Sequence, residues 1–128
     1  MLIKFTLLLV GIGMGFAQFT WAAGNPEKGK ALYAVCVACH GTDGAGNKAL
    51  NSPRIAGQEI WYLERQLKNF KTGVRGANSK DVYGMQMRPM AMTLPNDQAI
   101  ADVAAYVNGL KAKPPVATVK GDMSAGTA

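Results

Sequence analysis

The chain has 128 residues, of which 48% are hydrophobic and 17% charged, so it is long enough for one ordinary domain and too apolar for a disordered polar chain. It contains two cysteines and one histidine, which excludes a His-rich metal site and zinc sites built from four cysteines or from two cysteines and two histidines. The net charge of +6 comes from scattered basic residues, so the composition does not indicate a nucleic-acid-binding patch.

The N-terminal residues have the features of an export signal. Lys4 supplies a positive charge, an apolar stretch follows up to Phe16, and the small residues Thr20 and Ala22 are suited to a cleavage site. We therefore expect residues 1–22 to be a signal peptide and the mature protein to lie in the periplasm of a bacterial envelope. The alternative is an uncleaved anchor that associates the protein with a membrane, although the apolar stretch is barely long enough to span one.

Three segments of the remaining chain have helical patterns. The first begins at Asn25-Pro26-Glu27, which are favoured at a helix N-terminus, and continues with apolar residues at helical spacing up to Cys36. The second runs from about Glu59 to Thr72, where Gly73 is suited to end it, and the third runs from about Asn96 to Asn108.

Two long segments between these helices are rich in glycine, asparagine and proline. Residues 41–58 and 73–95 are therefore predicted to be irregular, and residues 111–128 are predicted to be a flexible tail after a domain of residues 23–110. Three short helices with two such loops enclose little apolar area for a domain of this length. A large apolar cofactor would supply the missing core.

The sequence Cys36-Val37-Ala38-Cys39-His40 is a C-x-x-C-H motif, the attachment signature of c-type haem. Two thiols three residues apart on one helical turn can form thioether bonds with the two vinyl groups of a haem, and His40 can then reach the iron. Because the chain has no second histidine, methionine is the usual alternative for the sixth ligand. The candidates are the four methionines of the second irregular segment: Met85, Met87, Met90 and Met92.

Three other interpretations apply to Cys36 and Cys39. They are a dithiol redox pair of the thioredoxin kind, a structural disulfide, and two ligands of a metal site that His40 completes. No strand pattern precedes the motif, as a thioredoxin-like fold requires. The haem motif accounts for both cysteines and the histidine together, and we favour it.

The sequence resembles class I c-type cytochromes, most closely the cytochrome c4 and c553-like branch, over roughly Asn25 to Leu110. This resemblance implies an all-α cytochrome c fold, in which three main helices and two long loops surround one covalently attached haem c. Cytochrome c4 has two such domains in tandem, and this chain, with one C-x-x-C-H motif, matches one half. Besides that motif, the stretches that carry the resemblance are Gly29–Tyr33, Pro53–Gln58 and Met87–Tyr106.

The resemblance also implies roles for residues outside the motif. The ligand methionine of the family stands seven residues before the leucine that introduces the last helix, which is Leu94 here, so Met87 is expected to bind the iron and Met90 is the alternative. The family's proline after the haem loop maps to Pro53, whose carbonyl is expected to accept a hydrogen bond from His40 Nδ1.

The function that these features indicate is one-electron transfer between larger redox proteins, through transient encounters and without catalysis. The alternatives are a haem c subunit of one dehydrogenase or terminal oxidase, and a gas-binding haem protein with an open sixth site, which the four methionines disfavour. Lys48, Lys80 and Arg88 are candidates to steer an acidic partner. Two interpretations remain for Trp61, Tyr62 and Arg75, namely ordinary packing and contact with the haem edge or its propionates.

Overall fold

The computed structural model describes residues 23–114 and residue 121, and this part of the chain contains helices and no β-strand. Its α-helices are α1 (Pro26–Leu32), α2 (Val37–His40), α3 (Ile60–Thr72), α4 (Val82–Met92) and α5 (Asp97–Gly109). The expected signal peptide and most of the expected tail lie outside the described residues. Within them, no helix combines the length and apolar character that crossing a membrane requires.

Helix α1 begins where its capping residues predict. The side chain of Asn25 accepts hydrogen bonds from the backbone N–H groups of Glu27 (3.0 Å) and Lys28 (3.1 Å), and Pro26 occupies the first turn. The helix ends at Leu32, and a short 3-10 turn over Tyr33–Val35 leads into α2. The C-x-x-C-H motif therefore folds as a helical turn of its own.

Helices α1 and α5 cross at close range. Gly29 is buried against α5, and a Cβ at this position would overlap the carbonyl oxygen of Asp102. Asp102 is itself buried, and its carboxylate accepts hydrogen bonds from the backbone N–H of Asn25 (2.7 Å) and from Gln98 Nε2 (2.9 Å). The carboxylate thus joins the start of α1 to α5 at the crossing.

The apolar core lies along α5 and receives α3 on one side. Helix α5 is capped by Asn96, whose side chain accepts a hydrogen bond from the Ala99 N–H at 2.9 Å. Helix α3 ends at Gly73, which has a left-handed conformation with φ of 80°. The buried cluster combines side chains from the α1–α2 connection, α3, the α4–α5 connection and α5: Tyr33, Leu63, Leu94, Ala99, Ile100, Val103, Ala104 and Val107.

The expectation that residues 73–95 are irregular throughout is wrong, because they contain the 11-residue helix α4. Asp81 caps this helix by accepting a hydrogen bond from the Gly84 N–H (2.9 Å), and its other carboxylate oxygen accepts one from the Gly76 N–H (2.9 Å). Pro89 lies inside the helix, where it removes one backbone hydrogen bond. The expected all-α class and the three predicted helices are confirmed, while the second predicted loop also contains a helix.

Candidate functional site

A cavity of about 490 Å³ opens between the C-x-x-C-H turn, α3, α4 and α5. Its walls are mainly apolar, and they bring together residues that are far apart in the sequence. The apolar side chains that line it include Tyr33, Ile55, Leu63, Leu67, Phe70, Val103 and Val107. A cavity of this size and lining suits a large, flat, apolar cofactor.

His40 stands at the wall of this cavity and is buried, with 6% of its surface exposed. Its Nδ1 lies 2.9 Å from the carbonyl oxygen of Pro53. Because a carbonyl oxygen can only accept, this contact assigns the ring proton to Nδ1 and leaves Nε2 with a lone pair. The imidazole is therefore oriented and in the tautomer that a metal ligand requires.

The loop after α2 closes on itself to bring the Pro53 carbonyl to His40. The Gly46 N–H donates to the His40 carbonyl at 2.9 Å, and the Ile55 N–H donates to the Gly44 carbonyl at 2.9 Å. Gly46 has φ of 85°, and a Cβ there would overlap the backbone of Pro53 and Arg54. Glycine at position 46 therefore permits the close approach that places the acceptor.

Cys36 and Cys39 line the same cavity and form no disulfide. Burial raises the pKa of the Cys36 thiol to about 11, and the nearby Cys39 contributes to this increase. A thioredoxin-like nucleophile requires a lowered pKa, so the electrostatics disfavour a dithiol redox pair. In the described residues, no group of three or more His, Cys, Asp and Glu side chains is arranged to hold a metal ion, which disfavours the third alternative.

Two of the four candidate methionines reach the cavity. Met87 and Met90 lie three residues apart on α4, are half-buried and line the cavity, whereas Met85 and Met92 are exposed and are not among its lining residues. A spacing of three residues places side chains on the same face of a helix, which is why both members of this pair face the cavity.

The polar and aromatic candidates divide between the cavity and the surface. Tyr62 and Arg75 line the cavity. Trp61 lies outside it and is 60% exposed, with the guanidinium of Arg65 4.9 Å from its ring centroid. Sequence reasoning missed Asp81 as a lining residue, and its one sequence signal is the position of an N-cap aspartate before α4.

The donor set fits a haem of the c type. Two thiols, one imidazole with an available Nε2 and two thioether side chains meet at one apolar cavity. Residues 26–111 match the family model described as cytochrome c. The chain belongs to the cytochrome c family, as a class I c-type cytochrome of the c4 branch, and its cofactor is covalently attached haem c.

Two curated relatives show how the chain relates to this branch. It is 37% identical over 99 residues to cytochrome c4 of Stutzerimonas stutzeri, a match that covers 77% of this chain and 47% of the relative. It is 40% identical over 84 residues to cytochrome c-554(548) of Halomonas halodenitrificans, covering 66% of this chain and 94% of the relative. The chain thus spans about half the length of the cytochrome c4 relatives that it matches.

A third relative and a solved structure complete the comparison. The chain is 39% identical over 95 residues to a thiosulfate dehydrogenase electron acceptor of Thiomonas intermedia, covering 74% of this chain and 38% of the relative. The crystal structure of reduced cytochrome c4 from Pseudomonas stutzeri superposes with a TM-score of 0.58 at 26% identity. That match covers 70% of this chain and 53% of the solved one, so the likeness concerns about one half of it.

Proposed function

We propose that this protein is a periplasmic one-electron carrier whose haem is attached through Cys36 and Cys39 and whose iron is bound by His40 and Met87. The observation that carries the proposal is the buried imidazole of His40, which is oriented by the Pro53 carbonyl at the wall of a cavity that both cysteines also line. An oriented imidazole with an available Nε2 is what an axial iron ligand requires.

Bound haem c supplies an iron that exchanges a single electron. The protein residues hold the cofactor, exclude water and set the charge around it. Apolar walls such as Leu63 and Phe70 disfavour the additional positive charge of the oxidised iron, and a methionine ligand acts in the same direction. Both effects favour a relatively high reduction potential, as a carrier between larger redox proteins needs.

Catalysis forms no part of this proposal. The single histidine is assigned to iron, so the chain has no other histidine for acid–base chemistry. A relative whose printed name is thiosulfate dehydrogenase electron acceptor supports a redox protein as the electron donor. We assign the exchange to transient encounters and the location to the periplasm, which the N-terminal sequence pattern supports.

The encounter surface that we propose is the open rim of the cavity. Val35, Leu50 and Tyr83 line the cavity and remain 43%, 46% and 57% exposed, so they form an apolar rim where the cofactor is most accessible. The exposed Lys48 and Lys80 are close in sequence to residues that line the cavity and suit an acidic partner. Arg88 fits this role less well, because it is half-buried and its Nε is inaccessible.

The test is expression in a host with cytochrome c maturation machinery. We expect a red protein whose intact mass equals the chain after residue 22 plus one haem, and whose voltammetry gives one reversible one-electron wave. Cys36→Ala and Cys39→Ala should each sharply reduce the yield of covalent haem. A colourless wild-type protein would refute the proposal, and permanent co-isolation with one dehydrogenase would favour the subunit alternative.

A further inference from the structure

The loop that contains Pro53 is bonded to the segment that follows α5. The guanidinium of Arg54 reaches this segment, where Nη1 donates to the Lys113 carbonyl at 2.6 Å and Nη2 donates to the Ala112 carbonyl at 3.0 Å. Ala112 lies beyond the end of α5 and is nevertheless buried, with 8% of its surface exposed, and Leu110 packs against the core cluster. We call residues 110–113 the strap, because they lie against the body of the protein and meet the Pro53 loop.

Further hydrogen bonds join the same loop to the end of α5. Gln58 Nε2 donates to the Arg54 carbonyl at 3.0 Å, and Asn108 Nδ2 donates to the Gln58 carbonyl at 2.9 Å. The Gly57 N–H donates to the Val107 carbonyl at 3.1 Å. Because Asn108 belongs to α5 and the strap continues from that helix, these bonds and the two from Arg54 form a closed ring.

The peptide unit between Pro53 and Arg54 contains the oxygen that faces His40. The Pro53 carbonyl oxygen lies 2.9 Å from His40 Nδ1, and the planar peptide bond links this oxygen rigidly to the Arg54 nitrogen. A Cβ at Gly46 would lie 2.6 Å from that nitrogen, so the loop is closely packed there. The position of Arg54 therefore determines the direction in which the Pro53 carbonyl points.

The guanidinium is well suited to hold this loop. Its planar fork donates to two successive carbonyls of the strap at once, and hydrogen bonds from a charged donor are stronger than neutral ones. Between Gly41 and Glu59 the chain has one short 3-10 turn and no α-helix. A segment with so little regular structure depends on tertiary hydrogen bonds to keep its position.

We propose that Arg54 is a positioning residue for the iron ligand, because its bonds to the strap hold the Pro53 carbonyl against His40 Nδ1. This inference rests on the proposed function, which assigns His40 to the iron. A firm hydrogen bond to the carbonyl increases the basicity of the imidazole and so favours the oxidised iron. Loss of the Arg54 fork should therefore let the Nδ1 proton exchange faster with water and raise the reduction potential.

The first test compares Arg54→Gln with Asp102→Asn in the holoprotein. Hydrogen exchange of the His40 Nδ1–H is followed by NMR in the reduced protein, and the potential is measured by voltammetry. We expect Arg54→Gln to exchange this proton about tenfold faster than wild type and to have a higher potential. Asp102→Asn removes a charge at the crossing of α1 and α5, where the carboxylate bonds Asn25 and Gln98, and it should leave both readouts near wild type. Equal acceleration in the two variants would assign the effect to general loosening of the fold and overturn the proposal.

The second test changes the strap and leaves Arg54 intact. Ala112→Leu introduces a larger side chain at a buried position, which should displace the carbonyls that Arg54 binds and reproduce the faster exchange. Lys113→Leu is the matched control, because it introduces the same side chain at the next, exposed position and keeps the backbone carbonyl. Its exchange rate should equal that of wild type. An Ala112→Leu variant as slow as this control would contradict a role for the strap.

The double variant Arg54→Gln with Ala112→Leu shows whether the two residues act through one contact. We expect its exchange to be no faster than that of the faster single variant, because each change removes the same interaction. Exchange accelerated by the product of the two single effects would make them independent and refute the proposal. If Arg54→Gln yields too little holoprotein, the comparison of Ala112→Leu with Lys113→Leu decides. Wild-type exchange in Arg54→Gln would overturn the role of Arg54 and leave the electron-carrier function intact, since the protein would still hold covalent haem and give its voltammetric wave.

Discussion

Under the proposed function, His40 and Met87 are the residues on which the redox properties depend most directly. Met87 and Met90 both line the cavity, and Met87 is the proposed iron ligand because the family resemblance favours it over Met90. We expect Met87→Ala to remove the weak sulfur-to-iron band of the oxidised protein. Its potential should fall by on the order of 0.1 V, within the range of about 0.8 V that axial ligands span.

The matched control for this variant is Met90→Ala, which removes a side chain of the same size from the same helix face. It should keep the sulfur-to-iron band, and only Met87→Ala should gain affinity for added imidazole or cyanide. Visible spectra and ligand titrations of the two oxidised proteins make the comparison. Exchange of the two phenotypes would place the iron ligand at position 90.

Asp102 is a residue whose charge contributes to stability far from the haem motif. The hydrogen bond from the Asn25 N–H, with smaller contributions from Gln98 and Lys28, holds the pKa of this buried carboxyl below its ordinary value despite desolvation. A lowered pKa means that the carboxylate stabilises the fold above the unfolded-state pKa of about 3.9, and that this stabilisation is lost as the pH falls through the folded-state value.

We therefore expect Asp102→Asn to lower the free energy of unfolding at pH 7 by about 1–3 kcal/mol, because a charged acceptor is replaced by a neutral one. The difference from wild type should shrink once the pH is well below 4. Denaturant unfolding of the holoprotein at several pH values measures both effects. Asp97→Asn is the control, since Asp97 is exposed in its pair with Lys68 at 3.3 Å, and it should cost less.

At the scale of elements, the crossing of α1 and α5 depends on a missing side chain. A Cβ at Gly29 would overlap the Asp102 carbonyl, so Gly29→Ala must push the two helices apart. We expect a loss of about 1–3 kcal/mol in the free energy of unfolding. Gly109→Ala is the matched control at the end of α5, where a Cβ meets nothing within 4 Å, and it should be neutral or stabilising. Equal stabilities of the two variants would contradict the close crossing.

Capping chemistry explains which elements the sequence allowed us to predict. Asn25 and Asn96 cap segments that have apolar residues at helical spacing, and Gly73 follows the last residue of α3, so local signals locate α1, α3 and α5. Helix α4 carries no such pattern, and it contains Gly84 and Pro89, which usually interrupt helices. Its cap by Asp81 and its packing against α3 override those local preferences, and tertiary packing of this kind is not visible in a single sequence.

The residues of the candidate site also divide into those that the local sequence predicts and those that it does not. The spacing within the C-x-x-C-H motif is enough to predict that its two cysteines and its histidine act at one site. The hydrogen bond between His40 and Pro53 agrees with the expectation drawn from the family resemblance. The convergence of Arg75, Asp81 and Tyr83 on the same cavity depends on how α3 and α4 pack, and the sequence offers no periodic signal for it. Residues brought together only by packing were therefore the ones that sequence reasoning missed or left open.

At the scale of the whole molecule, the proposed function makes the basic charge and the apolar rim together determine how electrons leave the protein. Val35, Leu50 and Tyr83 mark the opening of the cavity, and Lys48 and Lys80 are exposed cations close to it in sequence. An anionic reagent should approach this opening faster than its size alone allows, because opposite charges steer the encounter. The steering should weaken as salt shortens the Debye length toward about 8 Å.

The corresponding variant is Lys48→Glu combined with Lys80→Glu, which we expect to slow oxidation by ferricyanide about tenfold at low ionic strength. The same variant should react faster with the cationic hexaammineruthenium, and added salt should reduce both differences. Stopped-flow kinetics on proteins of equal reduction potential measures these rates.

The control combines Lys30→Glu on α1 with Lys111→Glu after α5, which makes the same change in net charge at exposed positions that do not line the cavity. If both double variants change the two rates equally, net charge alone governs the reaction and the rim of Val35, Leu50 and Tyr83 is not where electrons leave. A change confined to Lys48 and Lys80, opposite in sign for the two reagents, cannot come from loosened structure and would place electron exchange at this rim.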